Sequence, residues 1–414
     1  MVGLKGGCVL VGVVFCVVGV FAASTHALEG KAGEVIKTVE ELKELEAKGL
    51  LSHGQVVSFT ELIRDFKLTI PIVKTTDRSL QATATNTYWE FTEKNKGKAK
   101  IGSKGEITNY AEQGCPFPDA KANDPQAGVK AAWNFDLNAR GDSSYTPDWE
   151  YFLTDSKGNI KTLGGLSTYL KFTRRTDRDP KPTLQAGEVW YKYIIAFSKP
   201  FSSKGLGQLQ VKYDDPTRED DLWVYVPGLR RATRVGGGNR CDCLGGFVFN
   251  NDDANLWSGN TTAFNWKLLQ EKEMLMESIH PYEEARQGKD YIPKAHFTKP
   301  VLERRKTWII ENSPKFSGYC YSKRLYYMDP ECWLFMFMEM FDQQGNLWKT
   351  EKQNFGIFDN PKEAGGGHQI FNVSGDTLDV KIFEAGPYYH HEITPNYPLP
   401  IEMFSLDYIR KMGR

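Results

Sequence analysis

Between Cys332 and Phe341 the chain reads Cys-Trp-Leu-Phe-Met-Phe-Met-Glu-Met-Phe, apolar at every position except Glu339. Alternation along a strand puts Leu334, Met336, Met338 and Met340 on one face and Trp333, Phe335, Phe337 and Phe341 on the other. A strand apolar on both faces is buried on both, by sheet packing on one side and a covering helix on the other. Two readings of the methionine face stand. In one it belongs to an ordinary central core strand. In the other it lines a cavity, since methionine is flexible and polarizable and suits ligands of variable shape.

From residue 85 onward the pattern is mostly strand. Aromatic and β-branched runs predict strands over Thr87–Thr92, Trp149–Thr154, Glu188–Phe197, Gly207–Tyr213, Asp221–Pro227, Phe264–Leu269, Lys306–Asn312, Tyr319–Met328 and Leu378–Phe383. Turn signals such as Lys157-Gly-Asn159 and Gln344-Gly-Asn346 punctuate them, and a hairpin is predicted around Asp329-Pro330. Consecutive hairpins without long intervening helices indicate an antiparallel sheet. Two short helices precede it. Thr38-Val-Glu-Glu41 has the form of a capping box opening a helix to about Lys48. Ser58-Phe-Thr-Glu61 does the same for a helix to about Lys67, with Phe59, Leu62, Ile63 and Phe66 on one face.

The first residues follow a different pattern. One lysine, Lys5, precedes an apolar run from about Cys8 to Ala23, and Thr25-His-Ala27 fits a small-residue cleavage site, so residues 1–27 read as a secretory signal. The run is shorter than the ~20 residues of a membrane span. Neither Cys8 nor Cys16 has the surroundings of a lipidation site. Residues 28–414 then form one mature domain with a strand-rich core at about 85–385. The Pro/Gly-rich stretches at 116–126 and 359–367 are loops, because aromatic strands resume beyond each.

Charge excludes some functions. Lysine plus arginine and aspartate plus glutamate both total 52, leaving no net charge to draw the chain onto nucleic acid or an anionic membrane. Mean hydropathy is -0.47, against a polytopic membrane protein. With 13% aromatic residues the chain can bury a large core. Beyond the signal stand Cys115, Cys241, Cys243, Cys320 and Cys332, an odd number and no clean disulfide framework. A tight hairpin holds Cys320 and Cys332 too far apart to bridge.

Catalytic signatures are missing: no GxSxG, no phosphate-binding loop, no HExxH. His390-His391-Glu392 would point alternately along an extended chain and cannot converge on a metal. Asn251, Asp253 and Asn255 echo a calcium loop without its glycine. Carboxylate pairs for glycoside hydrolysis stay open. After the strand ending at Pro227, Arg230, Arg231 and Arg234 gather, either as a solvated basic rim or as a site for an anionic head group or acidic partner.

Several blocks resemble a known family. Asp221-Leu-Trp-Val-Tyr-Val-Pro-Gly-Leu-Arg-Arg231, Tyr321-Ser-Lys-Arg-Leu-Tyr-Tyr-Met-Asp329, Cys332-Trp-Leu334 and Phe341-Asp-Gln-Gln-Gly-Asn-Leu-Trp-Lys349 are similar, in order, to segments of exported proteins called outer-membrane lipoprotein-sorting-like. Gly114-Cys-Pro-Phe-Pro118, Gln126-Ala-Gly128 with Trp133-Asn134, and Trp266-Lys-Leu268 with Glu271-Lys-Glu-Met274 extend the likeness over most of residues 85–350. The stretch Cys241-Asp-Cys-Leu-Gly-Gly-Phe-Val-Phe-Asn250 departs from it, and the N-terminal helices and the tail beyond residue 360 lie outside it.

The resemblance implies an α+β fold of the Lol-carrier type: a strongly curved antiparallel sheet, an open half-barrel, with helices covering its mouth around an apolar cavity. It implies a periplasmic carrier for a lipid, a lipoprotein acyl chain or another hydrophobic compound, without enzymatic activity or cofactor. A resistance-nodulation-division-type transporter or an outer-membrane protein would be its partner. On this reading Trp223, Tyr225, Leu334, Met336, Met338 and Met340 line the cavity, and Arg230, Arg231 and Arg234 contact a partner at the rim. The alternatives are an exported carbohydrate-active enzyme and a transporter accessory protein with a filled core.

Overall fold

A computed structural model describes residues 27–235, 241–243, 246–282 and 298–412. The secretory signal read at the N-terminus lies outside the described residues, as does the Gly236–Gly238 run.

The chain builds one large, mostly antiparallel sheet. Its principal strands are β1 (Ile70–Val73), β2 (Ser143–Thr154), β3 (Ile160–Lys171), β4 (Val189–Lys199), β5 (Gly207–Tyr213), β6 (Asp221–Val226), β7 (Arg231–Val235), β8 (Phe264–Glu277), β9 (Leu302–Pro314), β10 (Lys323–Asp329), β11 (Leu334–Phe341), β12 (Leu347–Asp359), β13 (His368–Asp379) and β14 (Tyr388–Pro395). Antiparallel pairing runs in the order β7–β6–β5–β4–β3–β2–β14–β13–β12–β11–β10–β9–β8. Short β1 joins β9 in parallel. Glu384-Ala385 pairs with both β13 and β2, so the ladder closes a small ring around β2, β13 and β14.

Two turns show why the hairpins form where the sequence predicts them. In Asp155-Ser-Lys-Gly-Asn159 and Asp342-Gln-Gln-Gly-Asn346 the aspartate accepts from backbone N–H groups two and four residues on, and the glycine takes positive φ. The hairpin around Asp329-Pro330 is present, joining β10 to β11.

The helices α1 (Val39–Ala47), α2 (His53–Arg64), α3 (Leu80–Thr83), α4 (Asn86–Asn95), α5 (Ala127–Asp136) and α6 (Leu406–Met412) complete the fold. The Thr38/Glu41 capping box is formed. For α2 the box is Ser52/Gln55, six residues earlier than predicted, and Ser58 lies inside the helix, hydrogen-bonded to Thr350 at 2.9 Å. The strand predicted at Thr87–Thr92 is part of helix α4. Its aromatic composition misleads; Thr85 accepts from Tyr88 N–H as the N-cap, and Tyr88 and Thr92 are buried one helical turn apart.

Helices cover β11 from both sides. On one face Gly54 of α2 sits so close that a Cβ there would lie 2.7 Å from Glu339, and its N–H donates to Glu339 Oε1. On the other, Gly128 of α5 lets the helix approach the Trp266 backbone, where a Cβ would meet the carbonyl oxygen at 2.6 Å. Phe335 stacks on Phe135 of α5 at 4.3 Å. Alternation predicts Phe335 opposite Met338, but a bulge between Tyr327 and Met328 shifts the register, and Phe335 also stacks on Tyr326, the pairing partner of Met338. Both rings therefore share the methionine side. Among the described residues no helix is long and apolar enough to cross a membrane.

Candidate functional site

The strands β2–β5 and β14 show an inverted pattern. In β5, Leu209 and Val211 pack outward against the C-terminal segment with Phe404 and Ile409 of α6, while Gln208 and Gln210 point to the opposite face. That opposite face lines two adjoining cavities, which share Ser167, Tyr193, Gln210, Ala254, Asn255 and His390. They enclose about 860 and 740 Å³ of space, the open mouth included.

Lining positions recur every second residue: Trp149 and Tyr151; Ser167, Tyr169 and Lys171; Tyr191, Tyr193 and Ile195; Tyr388 and His390. In β2 a register shift between Thr146 and Trp149 moves the lining from Ser144 and Thr146 to Trp149 and Tyr151. The first cavity holds more charged side chains, with Asp136, Arg140 and Lys171 in its lining beside Asn138 and Asn372, whereas Glu351 is the one Asp, Glu, Lys or Arg among the described residues lining the second. The second carries Trp149, Tyr151, Ile195, Phe247, Phe249 and Tyr388. Phe247 and Phe249 stack at 5.0 Å.

The segment 246–258 forms the facing wall and is tied down along its length. Val248 N–H donates to Tyr151 Oη at 2.7 Å, Leu256 N–H donates to Glu351 Oε1 at 3.1 Å, and Lys212 Nζ donates to the Gly259 carbonyl at 2.8 Å. Arg324, fully buried, donates to Asp253 Oδ1 from Nε and Nη2, and Tyr321 Oη donates to Asp253 Oδ2. A disulfide joins Cys241 to Cys320, leaving Cys115, Cys243 and Cys332 as thiols. The Asn251–Asp253–Asn255 stretch is thus an anchored turn. Among the described residues no group of three His, Cys, Asp or Glu side chains is placed to hold a metal.

Hydroxyl groups in the cleft bond to one another or to the walls. Ser167 Oγ lies 2.7 Å from Tyr193 Oη, and Tyr388 Oη donates to Gln353 Oε1 while accepting from Asn372 Nδ2. Two titratable groups are held neutral near pH 7. Burial, reinforced by the charge of Asp253, pushes Glu351 up to about 8. Burial takes His390 down to about 4, against a bond from Nδ1 to the Asn372 carbonyl.

The residues singled out in the sequence lie elsewhere. Leu334, Met336, Met338 and Met340 have no exposed surface and belong to the main core. Met338 pairs with Glu351, a lining residue, and the turn Asn251–Leu256 lies against both β11 and β12, yet Met338 itself does not line the space. Trp223 and Tyr225 pair with Leu209 and Gly207 and share their α6-covered face. None of these six side chains lines either cavity. Arg230 and Arg231 are exposed on the β6–β7 hairpin, and Arg234 pairs with Asp221. The tyrosine alternation in β4 was the available sequence signal, but a search for apolar faces selects the other side of these strands.

Residues 42–383 match the family described as "Protein of unknown function (DUF1329)". The chain belongs to this family. An uncharacterized Pseudomonas aeruginosa protein, PA3922, is 24% identical over 317 residues, a match covering 73% of this chain and 65% of that relative's length. The fold is similar to that of a DUF1329 family protein from Desulfovibrio piger (TM-score 0.50, 15% identity). It is equally similar to a domain from Vibrio parahaemolyticus described as outer membrane lipoprotein-sorting (TM-score 0.50, 14% identity). Each likeness covers 69% of this chain and all of the other. The family match bears out the uncharacterised family read in the sequence, and the likeness to the lipoprotein-sorting domain is one of fold.

Proposed function

We propose that this DUF1329 protein is a non-enzymatic periplasmic carrier that holds a lipid, a lipoprotein acyl chain or another hydrophobic compound in the tyrosine-lined cleft. The observation that carries this reading is the pair of adjoining aromatic-lined cavities on one face of β2–β5 and β14, one of which also carries Arg140 and Lys171. The lipoprotein-sorting description of the Vibrio relative supports it. Binding is non-covalent, with each buried CH₂ worth about 0.8 kcal/mol.

On this proposal the sheet acts as a curved half-barrel open at the cleft, and the wall 246–258 is what must yield for loading. The N-terminal signal is removed near Ala27 and the carrier diffuses to a transporter or outer-membrane partner. Exposed Arg230 and Arg231 on the β6–β7 hairpin are where such a partner would touch. Organic extraction of natively purified protein followed by lipid mass spectrometry is the test. A stoichiometric lipid or other hydrophobic compound is the expected result; an empty extract, with no binding of an acyl-chain fluorophore, overturns the reading.

A further inference from the structure

The two compartments differ in chemistry, and the first contains donors that the fold leaves unused. Asn138 Nδ2 and Trp190 Nε1 belong to residues about 4% exposed, line the first cavity, and have no hydrogen-bond partner among the described residues. Burying a donor without an acceptor costs roughly 1–3 kcal/mol, so such groups call for an explanation. Trp149 Nε1, in the second cavity, is unpartnered in the same way.

Two cationic side chains accompany the first pair. Arg140 lines the cavity, and its Nε donates to Asn138 Oδ1 at 2.9 Å, which turns the amide nitrogen of Asn138 away from that bond. Lys171 lines it as well. Burial lowers the Lys171 pKa against the raising effect of Asp142 and Asp177 and with the repulsion of Arg140 and Arg175. Those two carboxylates are occupied elsewhere. Asp142 accepts from the backbone N–H groups of Thr176, Asp177 and Arg178, and Asp177 from Thr85, Thr87, Thr176 and Asn396. Asp136 is the one acid lining this cavity, and it accepts from Thr261. The balance at the wall is cationic and rich in donors.

We propose that the first cavity receives an anionic, acceptor-rich head group, a carboxylate or a phosphate, whose apolar tail lies in the second cavity between Phe247, Phe249, Trp149 and Ile195. This deepens the carrier reading and rests on it. Arg140 and Lys171 supply charge, while Asn138 and Trp190 supply N–H groups that no other group among the described residues engages. Phosphate and carboxylate make the same demand on these donors, and the ligand series below separates them.

The test is isothermal titration of delipidated full-length protein with dodecanoate, dodecyl phosphate and dodecanol, all below their micellar concentrations. One or both anions should bind about tenfold or more tighter than the alcohol, and the stronger of the two names the head group. Lys171→Met should weaken the anions by a clearly larger factor than the alcohol, narrowing the gap between them. Arg140→Gln, checked for an unchanged melting temperature, provides the same readout if Lys171→Met fails to fold. Equal affinity for alcohol and anions, or anion binding indifferent to both substitutions, overturns the head-group assignment and leaves the carrier reading standing. Failure of all three ligands to bind overturns both.

Discussion

Arg324 grips Asp253 through two donors to one carboxylate oxygen, at 3.0 and 2.8 Å, with both side chains sealed from solvent. The pair joins β10 to the turn Asn251–Leu256, which contributes Asn251, Ala254 and Asn255 to the cleft lining. Removing one partner leaves a buried charge uncompensated. Arg324→Met or Asp253→Asn alone should each destabilise by about 3–5 kcal/mol in denaturant unfolding, with the double substitution recovering a large part of that loss. Additive losses would show that the pair does not act as a unit.

The Cys241–Cys320 disulfide fastens the start of the same wall across a sequence separation of 79 residues. A crosslink of that span contributes up to about 4 kcal/mol through the unfolded chain. Cys320→Ala should lower the unfolding midpoint by a corresponding amount. It should also raise hydrogen exchange in residues 246–258 before the central strand Leu334–Phe341 is affected.

Glu351 and His390 give opposite pH dependences. With its carboxyl raised to about 8 in the fold, Glu351 keeps a proton that the unfolded chain releases above about pH 4.3. Stability therefore falls as pH rises from there to about 8, by an amount on the order of a few kcal/mol, and is flat beyond. Glu351→Gln should abolish that slope and stabilise the protein at pH 8. His390, held down to about 4 in the fold, resists protonation that the unfolded chain accepts below about pH 6.5. Its contribution is lost as pH falls through that window, and His390→Asn should remove it. Unfolding series across pH on the two variants separate the slopes.

Much of the scaffold was legible in the sequence. The unbroken apolar run Cys332–Phe341 marks a central strand because only burial on both faces tolerates it, and the Asp-x-x-Gly-Asn turns carry their own hydrogen bonds. Thr87-Tyr-Trp-Glu-Phe-Thr92 reads as strand because aromatic residues favour strands, whereas tertiary packing of Tyr88 and Thr92 decides for helix. The cleft was missed for a different reason. Its lining is tyrosine, serine and glutamine, while the apolar side of β5 and β6 is spent on α6. The wall depends on contacts such as Arg324 with Asp253 that no local pattern announces.

Met338→Leu conserves volume at a site with no exposed surface. It should cost less than about 1.5 kcal/mol and leave ligand affinity unchanged, since Met338 belongs to the main core and lines neither cavity. A large affinity loss with intact stability would return the methionine face to the cavity wall.

Ala254 lines both cavities, so an indole in its place fills their junction. The decisive measurement is the saturation binding of an acyl-chain fluorophore to the wild-type protein and to Ala254→Trp, with melting temperatures recorded alongside. Saturable binding by the wild type, lost in a variant that still folds, is the predicted result. Equal binding by both proteins, or none by the wild type, would contradict the cleft as the carrier's binding site.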